Sequence, residues 1–332
     1  MRFDTRIRIQ SFSAQIQGIG FAVPIRNERK SMPFHLTADR RTFLATSATV
    51  LATFSTRAVQ SAEKPVRGDI VYLLNDTHVG EKHPPDSSIP MNLKQVVAEI
   101  IAASETPAAV IINGDLALKD GQPGDYVHFA KLIAPLQSAG VATHVTLGNH
   151  DNRDAFYNVM KAQRLESPVV ESRHISVITT PHANFFLLDS LKETMVTQGT
   201  IGEQQLTWLT KALDEHADRP AIIVAHHNPR LGGDPNHFPG GLIDSSELWD
   251  VLKVRAHVKA YIHGHIHDRN NAQHEGIHIL NTPAISYVAN KKLSTTGWTV
   301  AKLSPTGIQL TTHTNDPTHP WNGDRQTLLY RL

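Results

Sequence analysis

The sequence predicts an α/β fold in which helices cover a sheet, and three observations carry that prediction. From Asp69 onward, short apolar runs alternate with longer segments whose apolar residues recur at three- and four-residue spacing, the pattern of strand–helix repeats. The chain has 332 residues, 40% hydrophobic and 19% charged, which is enough to bury a large core and too apolar for a disordered or fibrous chain. Five of the apolar runs end in a cluster of His, Asp or Asn, as expected where strands deliver functional groups to one edge of a sheet.

Strands are expected at residues 70–74, 108–112, 143–147, 185–188, 221–225, 258–262 and 278–280, each a short apolar run. Helical patterns lie between them at 93–103, 126–136, 204–216 and 246–254, and Leu206, Leu209 and Leu213 are expected to face the core. Beyond Asn281 the chain turns to short strand-like pieces at 298–303 and 308–312, which complete a sheet rather than found a new domain. Residues 315–332 are polar, contain proline and carry no clear pattern. Residues 63–332 therefore read as a single domain.

The chain contains no Cys, which excludes disulfides, thiolate metal sites and a cysteine nucleophile. Any metal must be held by His, Asp, Glu or Asn, and there are 20 His. Residues 1–62 hold nine of the 32 basic and three of the 31 acidic side chains, leaving 23 basic against 28 acidic in the rest. A balance near −5 argues against gripping a nucleic-acid duplex by bulk electrostatics.

Within that basic segment, Asp39-Arg40-Arg41-Thr42-Phe43-Leu44 opens a small-residue, mildly apolar stretch that runs to Thr56 and is followed by Arg57-Ala58 and Ser61-Ala62. Residues 32–62 resemble a twin-arginine export signal. The apolar run of about fifteen residues is shorter than the ~20 that span a bilayer. The resemblance implies a partner in the twin-arginine export machinery, cleavage near Ala58 or Ala62, and a periplasmic or extracellular location. A lipid anchor is not expected, since there is no Cys to carry one. The arginine pair lies 40 residues into the chain, where a start at Met32 would place it normally, so residues 1–31 read as a long leader or as an unused upstream start.

The five polar clusters are Asp76-Thr77-His78, Gly114-Asp115, Gly148-Asn149-His150-Asp151, His226-His227 and Gly264-His265-Ile266-His267. In extended backbone, residues two apart point to the same side, so D-x-H and H-x-H can each hold one ion or two neighbouring ions. Gly114, Gly148 and Gly264 precede ligand candidates, where a missing Cβ lets the chain approach the site closely. Imidazoles and carboxylates suit Fe, Mn, Zn or Co.

In this order the blocks resemble the calcineurin-like metallophosphoesterases, whose pattern is D-x-H, G-D, G-N-H-D, His and G-H-x-H, over about residues 68–285. The resemblance implies a four-layer α-β-β-α sandwich with a dinuclear metal site at the carboxyl ends of the strands, its two ions about 3.5–4 Å apart. It assigns Asp76, His78 and His267 to one metal, Asn149, His226 and His265 to the other, and Asp115 to a bridge between them. His226 is chosen over His227 because it comes first after the strand, and the reverse assignment stays open. A hydroxide shared by the two ions, its parent water brought toward a pKa of about 7, is the implied nucleophile. His150 is not a ligand in this scheme; beside Asn149 it is placed to protonate the leaving group, or else to orient Asn149. Asp151 restrains the turn or orients His150.

Leu118 stands where purple acid phosphatases carry an iron-binding Tyr, which argues against that branch. The stretch from Gly114 to Tyr126, with His226-His227-Asn228-Pro229, is similar to bacterial class III cyclic nucleotide phosphodiesterases and glycerophosphodiesterases, although that group usually has Pro where Asn228 stands. Candidate substrate loops are 81–90, 196–201 and 230–241. The expected function is an exported, dinuclear-metal phosphodiesterase acting on a small-molecule phosphate ester. The alternatives are a phosphomonoesterase of the same fold and a metal-binding protein without catalysis.

Overall fold

Side chains alternate between the two faces of each apolar run, and both faces are buried, as in strands sandwiched between two layers. In β1 (Val66–Asn75), Tyr72 and Leu74 join one apolar cluster while Val71 and Leu73 join another. The computed structural model describes residues 64–164, 167–231 and 239–332. The leader, the export segment, Glu63 and residues 232–238 of one candidate loop lie outside the described residues.

Two six-stranded sheets form the centre. The first contains β1, β2 (Thr106–Asn113), β3 (Thr143–Thr146), β10 (Gly297–Ser304), β11 (Gly307–Thr314) and β12 (Arg325–Leu329), in the order β12-β11-β10-β1-β2-β3. The second contains β4 (Ser176–Thr179), β5 (Asn184–Leu187), β6 (Ala221–Val224), β7 (Val258–His263), β8 (Asn270–His274) and β9 (Ile277–Asn281), in the order β4-β5-β6-β7-β9-β8. Val71, Leu73, Ala109 and Ile111 meet Phe185, Leu187, Ile222, Val224 and Ile262 between the sheets. On the outer face of the first sheet pack α1 (Ser88–Ala102), through Leu93, Val96 and Ile100, and α2 (Pro123–Ser138), through Tyr126 and Phe129. On the outer face of the second pack α4 (Glu203–Glu215), through Leu209 and Leu213, and α5 (Ser245–Lys253), through Leu248, Trp249 and Leu252. Three apolar clusters between successive layers make the expected four-layer α-β-β-α sandwich. Leu206 packs on its cluster as a partly buried residue.

The register places the site. Asn75 pairs with Asn113 and Asn113 with Thr146 in parallel, so the chain segments that follow β1, β2 and β3 leave the first sheet side by side. Val224 pairs with Ile262 in the second sheet, which aligns the His226 and His265 segments in the same way.

Three strands depart from expectation. β4 and β8 lie at the edges of the second sheet, and β12 forms within the polar 315–332 stretch as an edge of the first. An edge strand holds its place by backbone pairing and keeps little apolar alternation. β8 reads Asn-Asn-Ala-Gln-His, and its hairpin to β9 turns at Glu275 and Gly276, both at positive φ, as a two-residue primed turn requires. The short helix α3 (Arg153–Val159) has no counterpart among the expected helices; Asn152 caps it by accepting from the Ala155 N–H at 3.0 Å. No helix among the described residues is long and apolar enough to cross a membrane.

Candidate metal centre

Each polar cluster follows a strand, but the backbone there is not extended. Asp76, His78, Asp115, His265 and His267 all take positive φ, between 43° and 71°. The expectation that D-x-H and H-x-H act through extended backbone is therefore corrected: both members of each pair take the left-handed conformation. Left-handed non-glycine residues cost on the order of 1–3 kcal/mol each and persist where their surroundings hold them. Here the His78 N–H donates to Asp115 O at 2.9 Å, and the Ser286 N–H donates to Asp76 O at 3.2 Å. The His265 N–H donates to the Asp76 carboxylate at 3.2 Å. The glycines are needed as expected: a Cβ on Gly148 would overlap the Asp115 carboxylate, and one on Gly264 the Asp76 carboxylate.

Asp76, His78, Asp115 and His267 converge, with donor atoms within 4.8 Å of one another. His78 Nε2 lies 3.0 Å from His267 Nε2 and 3.5 Å from Asp115 Oδ2, and His267 Nε2 lies 3.4 Å from Asp76 Oδ1. A second group joins His226, His227 and His265 within the same span. Asp115 Oδ2 links the groups, since it is also 3.2 Å from His226 Nε2. The other carboxylate oxygen, Oδ1, accepts from the His150 N–H at 2.8 Å. One oxygen of Asp115 thus faces both groups.

The outer nitrogens are pinned. Nδ1 of His78 lies 3.2 Å from Leu118 O, Nδ1 of His267 lies 2.8 Å from Tyr287 O, and Nδ1 of His226 lies 3.2 Å from Asn113 O. Carbonyl acceptors require Nδ1–H, which turns an unprotonated Nε2 inward as a ligand, the arrangement common to metal-binding histidines. His265 is the reverse, with Nε2 3.2 Å from Gly240 O, so it would ligate through Nδ1. His227, the reverse assignment, belongs to the second group as well. It is buried with Nδ1 at 2.8 Å from Ser190 Oγ and Nε2 unpartnered, so it stays a ligand candidate beside His226. Both histidines follow β6 and are fully buried, so adjacency to the strand does not discriminate between them.

Asn149 Oδ1, His226 Nε2 and His227 Nε2 are buried without a hydrogen-bond partner. Three orphaned acceptors beside a carboxylate are costly unless something electropositive meets them, so the donor set fits two divalent ions. Electrostatics agree. Burial pushes the His78 and His265 imidazoles down to about 3, so both are neutral, as ligands must be. Burial alone would raise the Asp115 carboxyl, but the charges of the surrounding imidazoles, His226 foremost, outweigh it and hold Asp115 well below the usual range. Burial opposes the His226 cation too, yet Asp115 and Asp76 beside it raise it to about 9. The pocket thus selects positive charge next to Asp115.

His150 reaches the same place. Its ring lies 5.0 Å from that of His78, and Nδ1 is 2.6 Å from Lys119 O. With Nδ1–H committed to that carbonyl, the proton His150 can exchange sits on Nε2. Among the described residues, no hydrogen bond joins the Asp151 carboxylate to the His150 ring. Asp151 is buried and accepts from the backbone N–H of Leu116, Ala117 and Gly148 and from the Tyr126 hydroxyl, at 2.9–3.1 Å, clamping the Asp115 turn to the Asn149 turn. Burial and the charge of Asp115 raise the Asp151 carboxyl to about 7.

Residues 71–269 match the calcineurin-like phosphoesterase family model. The 3',5'-cyclic adenosine monophosphate phosphodiesterase CpdA of Escherichia coli is 30% identical over 72% of this chain and 86% of its own length. The enzyme of the same name from Vibrio vulnificus is 27% identical over 68% and 77%. Among solved structures, a dimetal phosphatase from Danio rerio superposes with a TM-score of 0.59 at 16% identity, covering 79% of this chain and 98% of that one, a likeness of fold. Sequence blocks, sandwich and converging donors agree with the family match, and this chain belongs to the calcineurin-like phosphoesterases, a family of metal-dependent phosphoester hydrolases.

Proposed function

We propose that the chain is an exported phosphodiesterase that works with two divalent metal ions. The observation that carries the reading is the pairing of a bridging carboxylate, Asp115, with a histidine, His150, whose exchangeable proton is confined to Nε2. Asp76, His78 and His267 would hold one ion and Asn149, His226 and His265 the other, with His227 the competing donor for the second. When bound, such ions neutralise charge on the phosphoryl oxygens and make a water-derived nucleophile available near neutral pH.

The protein's own part is placement and proton transfer. As water adds to phosphorus and the ester P–O bond breaks, His150 Nε2 gives its proton to the departing oxygen. The proton released by the water restores the imidazolium for the next turnover. The His150 N–H, bound to Asp115 Oδ1, keeps the ring in register with the bridging oxygen.

The relatives that carry the name cyclic nucleotide phosphodiesterase favour a diester over a monoester. Export rests on Arg40-Arg41 and the short apolar run after them, and it directs the reading toward small phosphate esters outside the cytoplasm. The purified protein should carry two ions per chain and cleave diesters faster than matched monoesters in a substrate panel. Faster monoester cleavage would make it a phosphomonoesterase; two bound ions with no cleavage of either would make it a binding protein.

A further inference from the structure

Tyr287 is attached to the metal centre without offering a ligand to it. Its ring stacks on His267, with centroids 4.2 Å apart and planes at 29°, and lies 5.0 Å from His78. Its carbonyl accepts from His267 Nδ1 at 2.8 Å, and the N–H of its neighbour Ser286 donates to Asp76 O at 3.2 Å. A residue so firmly tethered nonetheless leaves 42% of its surface exposed, and it joins none of the three apolar clusters. Two other residues repeat the pattern. Leu118, 38% exposed, holds His78 Nδ1 through its carbonyl, and Met195, 47% exposed, donates its N–H to Asn149 O at 2.7 Å. Three exposed apolar side chains therefore stand on backbone that anchors three different ligand candidates.

A charged floor with an apolar rim suits an ester that has an anionic phosphate and a flat, weakly polar substituent. We propose that Tyr287 determines specificity by stacking on the nucleobase of a nucleotide phosphodiester, with Leu118 and Met195 completing the rim around the base. The inference rests on the phosphodiesterase reading and narrows its substrate class. The ring lies 4.2 Å from that of His267, centroid to centroid, so a base stacked on Tyr287 would lie beside a phosphate held at the ligand cluster. Every base offers a π-face to an aromatic side chain, whereas glycerol offers none.

The test compares metal-loaded wild type, Tyr287→Ala and Tyr287→Phe on 3',5'-cyclic AMP, the base-free ribose 3',5'-cyclic phosphate and glycerophosphocholine, with metal content measured for each. Stacking of a base on an aromatic side chain predicts that Tyr287→Ala loses about 5- to 100-fold in kcat/KM on cyclic AMP, chiefly through KM. The loss on the base-free ester should be at least fivefold smaller, and Tyr287→Phe should keep most of the wild-type preference. Calorimetric titration of the same proteins with adenosine, which has no phosphate, should show weaker binding to Tyr287→Ala. Equal losses on the two cyclic esters, a larger loss on glycerophosphocholine, or unchanged adenosine binding would overturn the role of Tyr287. If wild type cleaves none of the diesters, the phosphodiesterase reading fails by itself, and the adenosine titration still decides whether Tyr287 holds a base.

Discussion

Asp115 Oδ2 stands 3.2 Å from His226 Nε2, although the two residues follow strands of different sheets, β2 and β6. The centre is thus assembled across the sandwich, with Asp76, Asp115 and Asn149 supplied by the first sheet and His226, His265 and His267 by the second. Its buried carboxylates and imidazoles are in effect the polar end of the packing between the sheets, and removing a shared member should disturb more than one ligand group.

Asp115→Ala should therefore lower metal occupancy in both groups, while His265→Ala should mainly empty one. Elemental analysis of the purified variants reads this directly. Two ions per chain with normal turnover in Asp115→Ala would exclude the bridge.

Away from the centre, His144 on β3 supplies a pH signature. Burial lowers its imidazole to about 4 from the ordinary 6.5, so the folded chain keeps it neutral where the unfolded chain would protonate it. The unfolded state binds more protons in that interval, so this contribution to stability is present above pH 6.5 and is lost as pH falls from 6.5 toward 4. In thermal melts over that range, His144→Gln should show a shallower fall in Tm than wild type. Parallel pH profiles would remove His144 from the account.

Much of this site was legible in the sequence because its residues fall immediately after apolar runs, where a parallel sheet gathers them by register alone. The alternation that splits Val71 and Leu73 from Tyr72 and Leu74 is equally visible in one dimension, and it is what commits the chain to layers. Other features depend on contacts between distant segments. The left-handed residues Asp76 and His265 hold each other directly, the His265 N–H donating to the Asp76 carboxylate across 189 residues of chain. Whether His226 or His227 faces the centre turns on Ser190 and Asn113, to which neither is close in sequence. Tyr287 lies beyond the last motif and has no spacing to announce it. The edge strands β8 and β12 lack apolar alternation because only their backbones are needed to finish a sheet.

The arginine pair makes a separate prediction, independent of the centre. If Arg40 and Arg41 direct export of a folded domain, replacing both with lysine should strand the protein in the cytoplasm with its activity intact there. Cell fractionation with immunodetection measures the distribution. Undiminished protein outside the cytoplasm would reject the signal.

His150 yields the sharpest kinetic prediction. Its Nδ1 is committed to Lys119 O at 2.6 Å, so the ring can deliver a proton only through Nε2, and it does so beside ligands rather than as one of them. General acid catalysis typically contributes about 10²- to 10⁴-fold, and its share depends on the leaving group. A nitrophenolate departs readily without a proton, whereas an alkoxide from glycerol or ribose does not. His150→Ala should therefore slow alkyl diester cleavage by about 10²-fold or more while slowing nitrophenyl diester cleavage far less, with both metals retained. Measuring kcat on the two substrate types, with metal content on the same samples, separates the possibilities. An equal loss on both, with the metals bound, would mean that His150 orients Asn149 or the phosphate instead of protonating the leaving oxygen.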